Sequence, residues 1–121
     1  MGNTYKYINL FYLVDMSDNS ADFIIEMIQI FKKQVPEFES KLKNGLQNQN
    51  IVELKKIAHK TKSALGIMGI ASLNDQLKYF EDANDISLKE FENFTQSFIF
   101  TCQEAIKELD QVIEQYKTSQ T

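Results

Sequence analysis

The last third of the sequence is one long amphipathic pattern, and it limits the possible folds more than any other feature. Two sets of residues recur there at intervals of seven: Phe91, Phe98, Ala105 and Val112, and Thr95, Cys102, Leu109 and Tyr116. Side chains at this spacing share one face of an α-helix. A helix over 88–117 is about 45 Å long at about 1.5 Å per residue, which is long enough to support a whole bundle of helices.

The rest of the chain is predicted to supply three more bundle helices and one short N-terminal helix. Helical spacing of apolar residues predicts helices over about 20–47, 50–68 and 70–83, and a short apolar-rich helix over about 4–15. Ser87 and Glu90 form a capping box at the start of the last helix, and Asn50 with Glu53 resembles a second cap. Short polar connections favour antiparallel neighbours. We therefore expect one all-α domain over 1–121, an antiparallel up-and-down four-helix bundle with a short extra N-terminal helix.

Composition and charge exclude several classes of protein. The net charge is −4 and the sequence has no arginine, which disfavours nucleic-acid binding. No run of residues approaches the roughly 18 apolar residues of a membrane span, and the N-terminus lacks the features of a secretion signal. The single cysteine, Cys102, cannot form an internal disulfide, which suits a reducing compartment. We therefore expect a cytoplasmic protein that binds neither membrane nor nucleic acid.

The side chains of a self-sufficient enzyme are also missing. With one histidine, His59, and one cysteine, neither a Ser/His/Asp nor a Cys/His site can assemble. Zinc or haem would need more histidine or cysteine ligands than the sequence contains. No glycine-rich phosphate loop is present. We expect no metal site, no bound cofactor and no phosphorylation of the protein by itself from ATP.

His59 lies on a helical face whose other residues are small or cationic. Lys62, Ser63 and Gly66 follow it by three, four and seven positions, so these four residues share one face. The inward face of the same helix is a different set: Ile51, Leu54, Ala58, Thr61, Leu65 and Met68. His59 is therefore expected at the solvent edge. An exposed imidazole beside an ammonium group and two short side chains suits a phosphoryl acceptor that another protein must reach.

Lysines are concentrated around this histidine. Lys55, Lys56, Lys60 and Lys62 all lie within two turns of it, on a chain that is acidic overall. A basic island on an acidic protein indicates a partner with an acidic surface.

The segment resembles the histidine-containing phosphotransfer (HPt) domain. The matching residues are Ala58-His59, Lys62 at +3, Ser63 at +4, Gly66 at +7, Gly69 at +10 and the apolar Leu73 at +14. The similarity extends in helix order and length from about residue 8 to residue 116. The resemblance implies a monomeric phosphocarrier in a multistep His-Asp relay. In that relay His59 would take a phosphoryl group from an aspartyl phosphate on one receiver domain and pass it to another.

The resemblance also implies roles for the neighbouring residues and the partners. Lys62 would neutralise the phosphate. We expect a docking surface that comprises Lys55, Lys56, Lys60, Ser63 and Gly66; the alternative is that the lysines at 55, 56 and 60 are ordinary solvated surface and that Ser63 is a neutral filler. The partners would be response-regulator receiver domains, a hybrid histidine kinase, or both, and the receiver would supply Mg²⁺ and the aspartate.

Three questions are open at this stage. Some members of the family carry glutamine about 22 residues after the histidine, where this chain has Glu81, which would repel phosphate if it pointed inward. Gly66 is explained either by close helix packing or by clearance for a partner, whereas Gly69 suits a helix C-terminal cap. The alternative function is a helical adaptor that binds a receiver or a histidine kinase without carrying phosphate, although the intact His59 speaks against it.

Overall fold

The computed structural model describes residues 5–119, which form five α-helices and no strand. The helices are α1 (Phe11–Met16), α2 (Ala21–Gln47), α3 (Ile51–Ile67), α4 (Asn74–Asp82) and α5 (Leu88–Ser119). Helix α2 packs against both α3 and α5, and α4 packs against α3. The predicted all-α bundle with a short N-terminal helix is confirmed. No helix within residues 5–119 combines the length and apolar character needed to cross a membrane.

Contacts between α2 and α5 show that these helices run antiparallel. Lys32 Nζ lies 2.6 Å from Asp110 Oδ1, whereas further along α2 the ring of Phe38 packs edge-on against Phe98. Later positions in α2 thus meet earlier positions in α5. Helix α2 continues through Pro36 without interruption.

The heptad positions of α5 form the centre of the core. All of them are buried except Tyr116, which is half-buried. Phe80 of α4 stacks on Phe91 with ring centroids 4.5 Å apart and meets Phe94 edge-on at 5.3 Å. These aromatic contacts hold α4 against the start of α5, and they fix the position of the residue after Phe80, Glu81.

Both predicted N-terminal caps are present, and a third cap begins α2. Ser87 Oγ accepts the Glu90 N–H, and the Glu90 carboxylate accepts the Ser87 N–H in return. The Asn50 side chain accepts the Glu53 N–H at the start of α3. Ser20 caps α2 in the same way. Each cap satisfies an amide that has no partner inside its helix.

The prediction for the N-terminal helix was wrong in its extent. The predicted range was about 4–15, of which residue 4 lies outside the described residues, and the helix begins only at Phe11. The backbone N–H groups of Lys6, Tyr7 and Ile8 instead donate to the carboxylate of Glu108, at 2.7, 2.9 and 3.2 Å. These bonds tie residues 6–8 to α5, and residues 5–10 are not helical.

Helix α4 also begins later than predicted, at Asn74 and not at 70. The reason is the end of α3, where Gly69 has a positive φ of 67°. Its N–H donates to the Gly66 carbonyl, and the Ile70 N–H donates to Leu65. This pair of bonds is the Schellman arrangement, as predicted for Gly69. The Asn9 N–H bonds to the Met68 carbonyl at the same place, so the N-terminal segment crosses the turn.

Candidate functional site

The inward and outward faces of α3 are arranged as the sequence predicts. Five of the six predicted inward residues are buried, and Ile51 is half-buried. The His59 side chain is 74% exposed and that of Lys62 is 55% exposed. Ser63 and Gly66 are also exposed. The packing of α3 thus presents His59 to solvent at the middle of the helix.

Glu81 is the principal neighbour of both His59 and Lys62. Its Oε1 atom lies 2.8 Å from Lys62 Nζ and 3.5 Å from His59 Nδ1. The hydrogen bond from Lys62 is the main cause that lowers the pKa of the Glu81 carboxyl group, against the opposing effect of partial desolvation. The side chain is therefore ionised at neutral pH. One carboxylate oxygen links the imidazole of α3 to the ammonium group one turn away.

This contact distinguishes the two nitrogens of the imidazole. Nδ1 faces a carboxylate, which accepts hydrogen bonds and donates none when ionised. The carboxylate therefore favours the tautomer with hydrogen on Nδ1, which leaves the lone pair on Nε2. Because the two nitrogens lie on different edges of the ring, Nε2 is the nitrogen available to an approaching partner.

His59 and Lys62 form a ridge between two open grooves. One groove, of about 500 Å³, runs between α3 and α4 and has Ala58, Leu77 and Phe80 as its apolar floor. The other, of about 490 Å³, is lined by Tyr12, Ile67 and the exposed face of α3 around Ser63 and Gly66. Tyr12 was not predicted as a site residue, because only the path of residues 5–10 across α3 and α5 brings α1 beside His59.

The four lysines of the basic island do not form one patch. Lys55 is half-buried and its Nζ lies 3.5 Å from the carbonyl oxygen of Ala83, on the α4 side. Lys60 and Ser63 line a third groove, on the α2 side. Lys56 is exposed. The positive charges therefore surround the histidine and do not line a single wall.

The surroundings of Gly66 exclude close helix packing as the explanation for this glycine. A Cβ atom added there would meet no atom within 4 Å, whereas one added to Gly45 would lie 2.8 Å from the Leu54 side chain. Gly45 therefore serves helix packing, and Gly66 does not. The open space above Gly66 agrees with clearance for a partner.

The cysteine and the acidic side chains in the described part of the chain supply no further reactive site. Burial raises the pKa of the Cys102 thiol to about 12, so the cysteine is protonated and inaccessible. Within residues 5–119 no three His, Cys, Asp or Glu side chains are grouped so as to hold a metal ion. The chemistry that this surface offers is that of His59, Lys62 and Glu81.

Comparison with known proteins identifies a family. The family model described as "Hpt domain" matches residues 26–119, a range that begins within α2 and includes all of α3, α4 and α5. Neither a search of curated proteins nor a search of solved structures found a match.

Proposed function

The chain belongs to the Hpt domain family, and from this membership we propose that His59 is the phosphoryl carrier of a multistep His-Asp relay. Hpt domains act in phosphotransfer between histidine and aspartate. In this chain His59 would accept the phosphoryl group of an aspartyl phosphate on one receiver domain. It would then pass that group to the aspartate of a second receiver domain.

The observation that carries the proposal is the exposure of His59 beside a cation. A buried histidine could not be reached by the aspartyl phosphate of another protein, and the His59 side chain is 74% exposed. Lys62 lies one turn along the same face and is exposed enough to move toward a phosphate. Phosphoryl transfer depends chiefly on positioning and on neutralising the charge of the transferred group, and these two side chains offer both.

The proposed step is a displacement at phosphorus. The Nε2 lone pair of neutral His59 forms an N–P bond as the P–O bond to the receiver aspartate breaks, and the aspartate leaves as a carboxylate. The hydrogen on Nδ1 is then released to solvent, so the phosphorylated ring is neutral while the phosphoryl group keeps its negative charge. The receiver domain would contribute the aspartate and Mg²⁺. Lys62 would neutralise the phosphoryl oxygens.

The docking surface is proposed to surround this ridge. The exposed face at Ser63 and Gly66 leaves room for a partner's backbone, and Tyr12 with Ile67 adds apolar area beside it. Lys55, Lys56 and Lys60 would steer the acidic surface of a receiver toward the site, because charges around a binding face mainly accelerate encounter.

The test is transfer of radiolabelled phosphate from receiver domains phosphorylated on their aspartate by a small-molecule phosphodonor. We expect label on the wild-type chain that is lost in acid and retained in alkali, as a phosphoramidate requires, and no label on His59→Gln. Label on His59→Gln would assign the acceptor elsewhere. Binding to receivers and kinases without any label would instead support the adaptor function.

A further inference from the structure

Glu81 places a negative charge where the proposed function puts a phosphoryl group. Its carboxylate oxygen is 3.5 Å from His59 Nδ1, and a third of its side chain is exposed. A phosphorylated side chain carries close to two negative charges at neutral pH. The ionised carboxylate and the phosphoryl group would therefore sit on the same imidazole ring, one at each nitrogen.

Glu81 also forms an ion pair with Lys62, the cation that would stabilise the phosphoryl group. Lys62 Nζ lies 2.8 Å from Glu81 Oε1, which is the distance of a charge-assisted hydrogen bond. Before phosphorylation the ammonium group is thus already neutralised. To stabilise a phosphohistidine, Lys62 must leave this carboxylate or divide its hydrogen bonds between two anions.

We propose that Glu81 destabilises the phosphorylated state of His59 and so drives the phosphoryl group onward to a receiver aspartate. This inference rests on the proposed function, and it assigns Glu81 as a positioning residue that acts through Lys62 and through its own charge. In the onward step the N–P bond to Nε2 breaks and a P–O bond forms to the receiver carboxylate. Nδ1 takes up a proton from solvent, so the ring leaves as neutral imidazole. Glu81 neither gains nor loses a proton.

The size of the effect follows from charge and exposure. The Glu81 carboxylate carries one unit charge and the phosphoryl group carries about two, and both lie at a solvent-exposed surface. Removing the carboxylate charge should therefore change the transfer equilibrium roughly three- to tenfold. Glu81→Gln is the sharpest variant, because it keeps the shape of the side chain and removes only the charge. We expect it to raise the equilibrium ratio of phosphohistidine to aspartyl phosphate, and to lengthen the phosphohistidine half-life, by that factor.

The chain offers a closely matched control. Glu104 on α5 forms an ion pair with Lys107 at the same 2.8 Å, and its side chain is 31% exposed against 33% for Glu81. Glu104 lines neither groove beside His59. Glu104→Gln therefore changes the net charge and removes an ion pair as Glu81→Gln does, but away from the histidine. It should leave both measurements as in the wild type.

The experiment measures the transfer equilibrium between the full chain and one phosphorylated receiver domain, and the decay of isolated phosphorylated protein. An unchanged or lower phosphohistidine fraction in Glu81→Gln overturns the inference while labelled wild-type protein still supports the proposed function. Equal increases in both variants also overturn it, since net charge would then be the cause. Absence of label on wild-type His59 would instead refute the proposed function itself.

Discussion

Replacement of Gly66 by leucine should make the domain more stable and less able to bind its partner. Glycine in a helix interior costs about 0.8–1.0 kcal/mol relative to alanine, and leucine is nearly as favourable as alanine. Gly66 lies in the last turn of α3, so we take about half of that interior value, a gain of about 0.5 kcal/mol. An added side chain meets no atom within 4 Å at the Cβ position, so no packing penalty opposes the gain.

A gain of this size raises the melting temperature by roughly 2–3 °C in a domain of this length. The loss of binding should be larger. Side-chain bulk forced into a packed interface costs about 1–3 kcal/mol, which is roughly 5- to 140-fold in Kd. Gly66→Ala, which adds only one methyl group, should share the stabilisation and lose little affinity.

Thermal unfolding and calorimetric titration with a receiver domain test both halves of this prediction. Gly45→Ala is the contrasting control, since its added Cβ would lie 2.8 Å from Leu54 and should destabilise the bundle. Unchanged receiver affinity in Gly66→Leu would remove Gly66 from the docking surface. A lower melting temperature would show that the space above Gly66 is occupied.

Three further substitutions and one labelling experiment have defined outcomes. His59→Gln should abolish phosphate acceptance and leave the melting temperature within about 1–2 °C of wild type, because the side chain is exposed; differential scanning calorimetry beside the labelling assay checks both. Lys62→Ala should slow transfer and shorten the phosphohistidine lifetime, because Glu81 is left unpaired beside the phosphate, with Kd within a few-fold of wild type. Stopped-flow kinetics and calorimetry separate these effects, and equal losses in both would make Lys62 a docking contact. Glu108→Ala should free the amides of residues 6–8 and cost about 1–3 kcal/mol; hydrogen exchange that stays slow there would contradict this. Cys102 should resist thiol reagents at pH 8 in the native state, since burial holds its pKa at about 12, and rapid labelling would refute that burial.

The parts of the fold that follow a local rule were predictable from the sequence. The face of α5 is set by residues seven apart, and the cap of Ser87 and Glu90 by residues three apart. Such patterns act within one helix, so they can be recognised without knowing how helices pack. For the same reason the exposed position of His59 followed from the buried neighbours on its own helix.

The parts that depend on distant residues were not predictable. Nothing near Lys6 or Ile8 in the sequence indicates that their amides bond to Glu108 on the last helix, and the early start predicted for α1 was the result. Glu81 was recognised as unusual from its spacing to His59. Its direction toward Lys62 depends on how Phe80 packs between Phe91 and Phe94, which is a property of three segments together.

The hydrogen bonds from the amides of residues 6–8 to Glu108 can form only late in the synthesis of the chain. Ile8 and its carboxylate partner are separated by 100 residues, so at roughly 5–20 residues per second a ribosome needs roughly 5–20 s to deliver that partner. Until then the amides of residues 6–8 bond to water and not to this carboxylate. The emerging chain can pair α2 with α3 early, and the Asn9 N–H can bond to Met68 at the end of α3, but the anchor to α5 forms only after most of α5 has been synthesised. A nascent or truncated chain that lacks Glu108 would therefore hold the segment before α1, and Tyr12 after it, with fewer bonds than the full chain does.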